Sequence, residues 1–253
     1  MNSTQKFSGL ANVYTEGRPT YAKELIEDLY TKYGVSKESV IADIGSGTGK
    51  LAKQLLDKGS TVYGVEPNAD MRAVAVKELQ RYAKFEAVDE TASQTNLKAH
   101  SVDFITVAQA FHWFDVDEFR KECERILQKD GLVFLVWNMR DMSNIVNQTS
   151  YEIYAKYCPN FTGFSGGIQK DDARIKAFFH DKYEYVEYSN PLFYDKEMFI
   201  KRSLSGSYSL KPGDKNFDEY VRRISELFDK YEDNGCLEMT NKTVVYIGKM
   251  KIK

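Results

Sequence analysis

No run of apolar residues in this 253-residue chain approaches the roughly 20 that a bilayer-spanning helix requires. The stretch from Met1 to Tyr14 also lacks the apolar segment of a secretory leader, so the expectation is a cytoplasmic protein with no membrane partner. Cysteine is scarce. Cys123, Cys158 and Cys236 stand far apart, unaccompanied by any Cys-x-x-Cys or His-x-x-x-His pair, which indicates neither a disulfide framework nor a metal site. Charge of one sign is missing as well: the formal net charge is -2 with both signs interspersed, and such a chain offers no basic field to a phosphate backbone. Nucleic acid is therefore not an expected partner. Repeats and low-complexity tracts are absent. What is present is an apolar fraction of 42%, enough to build one α/β domain with a sizeable core.

The most informative stretch is Ile41-Ala42-Asp43-Ile44-Gly45-Ser46-Gly47-Thr48-Gly49. A short β-branched run enters a glycine turn, and the segment after it carries Leu51, Leu55 and Leu56 at helical spacing. Glycine permits positive φ and removes the Cβ atoms that would keep a ligand off the main chain. Spacing then separates the ligand classes that use such turns. A P-loop sets four residues between its first glycine and a Gly-Lys, followed by Ser or Thr. Here Gly45 to Gly49 encloses three residues, and Leu51 follows Lys50. A dinucleotide fingerprint wants its third glycine where Lys50 stands, although Gly49 is one step away, so a nicotinamide oxidoreductase stays open. The pattern Asp/Glu-x-Gly-x-Gly-x-Gly of an S-adenosylmethionine site matches Asp43 to Gly49 at every fixed position. Glu66 follows where the next parallel strand should end.

Along the chain, Pro19 to Tyr33 reads as a first helix stopped by Gly34. Strands at Val40 to Ile44, Thr61 to Val65, Phe85 to Val88, Phe104 to Ala108 and Leu132 to Trp137 alternate with helices near 50–58, 69–82 and 116–128. That alternation predicts a doubly wound parallel sheet. Asp115 suits an N-cap, and Lys129-Asp130-Gly131 turns the chain into the fifth strand. Beyond Asn138 the pattern changes. Helices are expected at 143–157 and 171–180 around a glycine-rich loop from Gly163 to Gly167, then a strand from Tyr183 to Tyr188, helices near 195–204 and 214–233, and a closing strand from Thr243 to Met250.

Several segments carry a family resemblance: Tyr14-x-x-x-Arg18-Pro19-x-Tyr21, the Asp43 to Gly49 turn, Gly64-Val65-Glu66-Pro67-Asn68 with Met71, Ser101-Val102-Asp103, Ala110-Phe111-His112-Trp113-Phe114 and Val136-Trp137-Asn138. Together they resemble the class I S-adenosylmethionine-dependent methyltransferases, in particular the small-molecule, trans-aconitate methyltransferase-like branch (methyltransferase type 11). The resemblance implies a Rossmann-like α/β fold with a seven-stranded sheet, mostly parallel with an antiparallel last strand, plus a helical lid. Residues 1–138 would form the cofactor-binding core with an amino-terminal lid arm. Residues 139–253 would add a helical cap and the sixth and seventh strands, which pair as antiparallel neighbours in one overall domain.

The same resemblance implies the cofactor site. Glu66 would accept hydrogen bonds from two ribose hydroxyls, as an acceptor-only carboxylate can. Asp43 would act through backbone amides near the methionine amino group or fix the turn made by Gly45, Ser46, Gly47, Thr48 and Gly49. Pro67 and Met71 would offer an apolar face to adenine. Thr91-Ala92-Ser93 occupies the place where relatives have Ala-Glu, and a slip of one or two residues would pass that role to Asp89 or Glu90. Tyr14 and Arg18 would be lid residues at the cofactor's carboxylate end, with Ala108 and Gln109 ending the fourth strand beside it.

The loop after Gln109 lacks the Asn/Asp-Pro-Pro-Tyr/Phe tetrapeptide that holds planar amines, which disfavours a nucleobase nitrogen as acceptor. His112 is the candidate catalytic group, since its ordinary pKa lies near neutrality. Trp113, Trp137, Asn138, Arg202 and Tyr208 are candidate contacts to a small-molecule substrate, Arg202 as the anchor of an acidic one, with Arg140 beside them at the end of the fifth strand. The expectation is therefore methyl transfer to an oxygen, chiefly a carboxylate oxygen, of a small metabolite, with S-adenosylhomocysteine as coproduct. A non-catalytic S-adenosylmethionine-binding regulator is the alternative from another class.

Overall fold

The computed structural model describes residues 19–164 and 168–250. Helix α1 (Lys23–Thr31) precedes β1 (Val40–Ile44), α2 (Lys50–Asp57), β2 (Thr61–Val65), α3 (Ala69–Leu79), β3 (Phe85–Val88) and β4 (Val102–Ala108). A 3-10 turn (Phe111–Trp113), α4 (Val116–Ile126) and β5 (Leu127–Arg140) follow. Then come α5 (Ile145–Tyr157), α6 (Ala173–Phe179), β6 (Glu184–Ser189), β7 (Leu192–Tyr194), α7 (Lys196–Leu204), α8 (Phe217–Tyr231), β8 (Leu237–Met239) and β9 (Asn241–Lys249).

Seven strands make one sheet in the order β3-β2-β1-β4-β5-β9-β6. The first five are parallel. β9 runs antiparallel to both β5 and β6, so β6 points with the first five and only the last strand opposes them. Strand order reverses between β1 and β4, and a crevice opens there beyond the carboxyl ends of the strands.

Both faces of the sheet are covered, which is why Ile41, Ala42, Asp43 and Ile44 are all inaccessible and the strand reads as an unbroken run. On one face α1 and α2 bury Leu25, Ile26, Leu29, Leu51, Leu55 and Leu56, recurring at helical spacing. On the other, Phe119, Cys123 and Ile126 of α4 pack with Ile175, Phe178 and Phe179 of α6. A third apolar cluster lies apart from these. It is drawn from α5, β7, α7, α8 and β8, and it forms a cap with its own core around Tyr154, Phe199, Tyr220 and Phe228.

Of the boundaries that differ from the sequence expectation, two have clear physical reasons. The first helix starts at Lys23 because the backbone N–H of Ala22 donates to Thr243 Oγ1 at 2.9 Å, holding the preceding residues extended against β9. The fifth strand begins at Leu127, since pairing jumps from Val102↔Leu127 to Phe104↔Leu132 and the intervening bulge, with Asp130 at φ 70, absorbs the expected turn. The ribbon of β7 and β8 was not foreseen. Its strands are three residues each, too short to display an alternation.

Candidate functional site

The chain leaves β1 through a turn fastened to β2: the N–H groups of Gly45 and Ser46 both donate to Val65 O, at 2.8 and 3.1 Å. The N–H of Gly47 then donates to Glu66 Oε2 at 2.9 Å, and the N–H of Asn68 donates to Glu66 Oε1 at 2.8 Å. One carboxylate thus joins the ends of two strands. Burial raises the Glu66 pKa, while the two N–H donors and the Arg72 guanidinium pull it back. Arg72 donates to Glu66 O at 2.7 Å and pairs with Asp89 at 2.6 Å.

The three glycines of the turn serve different purposes. A Cβ on Gly45 would meet Ala110 Cβ at 2.5 Å, and one on Gly49 would meet Leu79 Cδ1 at 2.6 Å; both places are closed by packing. At Gly47, φ +57, a Cβ would meet nothing within 4 Å. That side faces open space, where a ligand can lie against bare peptide.

The space beside it is a cavity of about 220 Å³. Gly47 and Glu66 stand at one end, with Pro67 and Met71 on one wall and Thr91, Ala92 and Ser93 on another. Ala108, Gln109 and Trp113 close it, together with Phe114. The loop carrying Thr91 to Ser93 is anchored to α4, where buried Glu122 accepts from the N–H of Thr95 at 2.7 Å and from Arg125. A narrower continuation of about 40 Å³ passes Ser46, Thr48, Tyr21 and Gln109. Asn68 and Asp115, absent from the sequence expectation as lining residues, also line the 220 Å³ cavity; each is an N-cap, of α3 and α4.

A larger cavity of about 850 Å³ opens between the sheet and the cap. It gathers His112, Trp113, Asn138, Arg140, Arg202 and Tyr208, as expected. The His112 and Trp113 rings are tilted against one another with centroids 4.7 Å apart. The Arg140 guanidinium lies over Phe164 at 4.0 Å and Tyr154 at 5.6 Å. Arg202 is enclosed by Tyr194, Tyr208 and Tyr154, whose hydroxyls favour its charged form against the cost of burial. Among the described residues, neither guanidinium has a carboxylate within ion-pair distance, whereas Arg125, Arg174 and Arg222 each have one.

Three expectations are corrected, and Asp43 takes the second of its two expected roles. Trp137 lines neither cavity: it is fully buried between Phe111 and Tyr246, with centroids at 6.3 and 5.8 Å, because alternate residues of β5 face opposite ways and Asn138 and Arg140 take the cavity side. Asp43 lies beneath the turn, inaccessible, with Oδ1 accepting from Thr106 Oγ1 at 2.8 Å, so it fixes the turn rather than lining the cavity. Gly49 is likewise a packing position. Asp89 and Glu90 do not line the cavity; they bind Arg72 and Asn96. Asn138 keeps its place in the larger cavity, but its Nδ2 donates to Thr20 O at 3.1 Å and its Oδ1 accepts from Thr243 at 2.6 Å. Tyr14 and Arg18 lie outside the described residues.

Residues 42–135, which span the turn, Glu66 and both walls of the smaller cavity, match the family described as methyltransferase domain. Over that segment the chain resembles a methyltransferase domain. An uncharacterized methyltransferase of Mycobacterium tuberculosis is 36% identical over 135 residues, 53% of each chain. The chain thus spans about half the length of the curated relatives it matches. Among solved structures, the YcgJ protein of Bacillus subtilis aligns with a TM-score of 0.57 at 18% identity, over 89% of this chain and 97% of that one. An N-methyltransferase of Haemonchus contortus, in complex with phosphomonomethylethanolamine and S-adenosylhomocysteine, also reaches 0.57 at 14% identity, over 99% of this chain and 60% of that one. These likenesses show the fold, that of the class I S-adenosylmethionine-dependent methyltransferases. S-adenosylmethionine is the cofactor of such a methyltransferase domain, and the residues present fit it: the open side of Gly47 and the Glu66 carboxylate face one cavity walled by Pro67 and Met71. No helix among the described residues is long and apolar enough to cross a membrane.

Proposed function

We propose that this protein transfers the methyl group of S-adenosylmethionine to a carboxylate oxygen of a small acidic metabolite. The carrying observation is the pair Arg140 and Arg202, two guanidinium groups without carboxylate partners among the described residues, in the larger cavity that adjoins the methyltransferase domain's turn. A half-buried cation without an acid loses hydration that an anionic ligand would offset. Guanidinium suits a carboxylate, because its planar fork donates two parallel hydrogen bonds.

The bound cofactor supplies a methyl group already activated by a sulfonium. Glu66 keeps acceptor capacity for the ribose hydroxyls beyond the two N–H groups it binds. Pro67 and Met71 wall the adenine side. Arg140 and Arg202 hold the acceptor, and alignment supplies most of the rate. No general base is needed, since a carboxylate is ionised at neutral pH. That leaves His112 to orient the acceptor beside Trp113.

The test is tritiated-methyl transfer to a panel of di- and tricarboxylic acids, with the matching amines and alcohols alongside. Label should enter an acid as a base-labile ester. Arg140→Gln and Arg202→Gln should each raise the KM for that acid by roughly ten- to a hundredfold while S-adenosylhomocysteine affinity stays as in the parent protein. Label entering only amines would overturn the carboxylate assignment.

A further inference from the structure

Among the described residues, Gln109 alone lines all three cavities: the one beside the glycine turn, the narrow continuation past Ser46 and Thr48, and the larger one holding Arg140 and Arg202. The first and last of these share only Gln109 and Trp113 among their lining residues. Those two residues mark where the two cavities meet among the described residues.

The backbone at this point is unusual. The N–H of Gln109 continues the β4–β5 ladder by donating to Val136 O at 2.9 Å, and the residue then takes φ 58. Left-handed backbone is strained for a residue with a Cβ, and Gly or Asn is its ordinary occupant. A strained backbone of this kind persists only where the surrounding structure holds it, here through the bond to Val136 O. Strain of this kind accumulates at sites that use it.

We propose that Gln109 is the acceptor-aligning residue of the transfer step. The inference rests on the methyltransferase reading above and adds to it the group that touches the reacting oxygen's carboxylate. Gln109 Nε2 donates one hydrogen bond to the oxygen that does not attack, which fixes the carboxylate plane. The other oxygen's electron pair forms the O–C bond while the C–S bond breaks, its electron pair leaves on sulfur, and Gln109 keeps both amide protons. A neutral donor suits this place. A cation beside the sulfonium would repel it, and an ion pair would blunt the nucleophile; the charge that selects an acid is supplied by Arg140 and Arg202, which line the same cavity.

The experiment places charge at the crossing and reads it with two ligands that differ there, cationic S-adenosylmethionine and neutral S-adenosylhomocysteine. Titration calorimetry at pH 8 on Gln109→Glu, nearly isosteric with the parent residue, should shift the affinity ratio roughly tenfold towards S-adenosylmethionine. Gln109→Lys should shift it the other way. For the acid methylated in the panel above, Gln109→Glu should raise KM at least about tenfold, with Gln109→Asn falling between it and the parent, as expected for a lost or lengthened hydrogen bond. Unchanged ratios in both charged variants, with melting curves showing that they fold, would overturn the assignment. A parent protein that binds neither ligand is the distinct failure of the underlying reading.

Discussion

Glu66 and Gly47 stand 19 residues apart in sequence, and a hydrogen bond of 2.9 Å joins them. The carboxylate that the family resemblance assigns to a sugar also secures the turn on which that sugar would rest. Removing it therefore damages the site twice. Glu66→Ala should weaken S-adenosylhomocysteine binding by roughly ten- to a hundredfold, from ~1.5–3 kcal/mol per hydrogen bond to a charged group. Glu66→Gln retains an acceptor for Gly47 and should fall between. Equal dissociation constants for parent and Ala variant, measured by calorimetry, would remove the assignment.

The contrast between Gly47 and Gly49 gives a second expectation. Both have positive φ, which costs a residue with a Cβ roughly 1–2 kcal/mol. Only at Gly49 does an added Cβ also strike packed atoms, Leu79 and Ala75. Gly49→Ala should lower the melting temperature more than Gly47→Ala, whereas Gly47→Ala should lose more cofactor affinity among molecules that remain folded. The same order in both measurements would contradict the separation of roles.

Trp137 is a stability residue. Trp137→Ala, which empties a fully buried site between Phe111 and Tyr246, should cost on the order of 3–5 kcal/mol in denaturant unfolding. Trp137→Phe should cost less. The acceptor KM of folded Trp137→Phe should match the parent, and a tenfold rise would return Trp137 to the substrate pocket.

Asp43 makes stability depend on pH. Burial pushes its pKa up to about 7, against the hydrogen bond from Thr106 that lowers it. An unfolded Asp titrates near 3.9, so between these values the native state holds a proton that the unfolded chain has lost. Stability from this group is greatest at low pH and falls as pH rises towards 7, by on the order of a few kcal/mol, then levels off. Asp43→Asn keeps an oxygen for Thr106 and removes the titration. Urea unfolding at pH 5 and pH 8 should show the parent losing more stability than the variant; identical losses would mean that Asp43 does not titrate there.

The parallel half of the fold was legible because its strands are short runs rich in β-branched and aromatic residues set between helical segments. β1, β2 and β3 begin and end where the apolar runs do. The smaller cavity was legible for a related reason: one local motif and the ends of adjacent strands supply most of it. Trp137 was misplaced by strand parity: adjacent residues of a strand face opposite ways, so Trp137 and Asn138 cannot both line one cavity. The larger cavity was read only in part. Its walls come from β5, α5, β7, α7 and the segments 207–214 and 239–241, each contributing one residue or a few, and no spacing along the chain connects them. Arg140 was visible by position at a strand end, yet its lack of an acid partner is a fact of three dimensions.

The cap's apolar cluster is drawn wholly from residues between Val146 and Met239, separate from both clusters that sandwich the sheet. On the proposed reading, the donor rests on the sheet and its clusters, whereas the acceptor cavity takes Arg202 from the cap and Arg140 from β5. The cap's share of that wall can be re-cut to a new shape without disturbing the masonry beneath the glycine turn. Trading that upper storey between related chains should then change which acceptor is favoured while the methyl supply stays untouched.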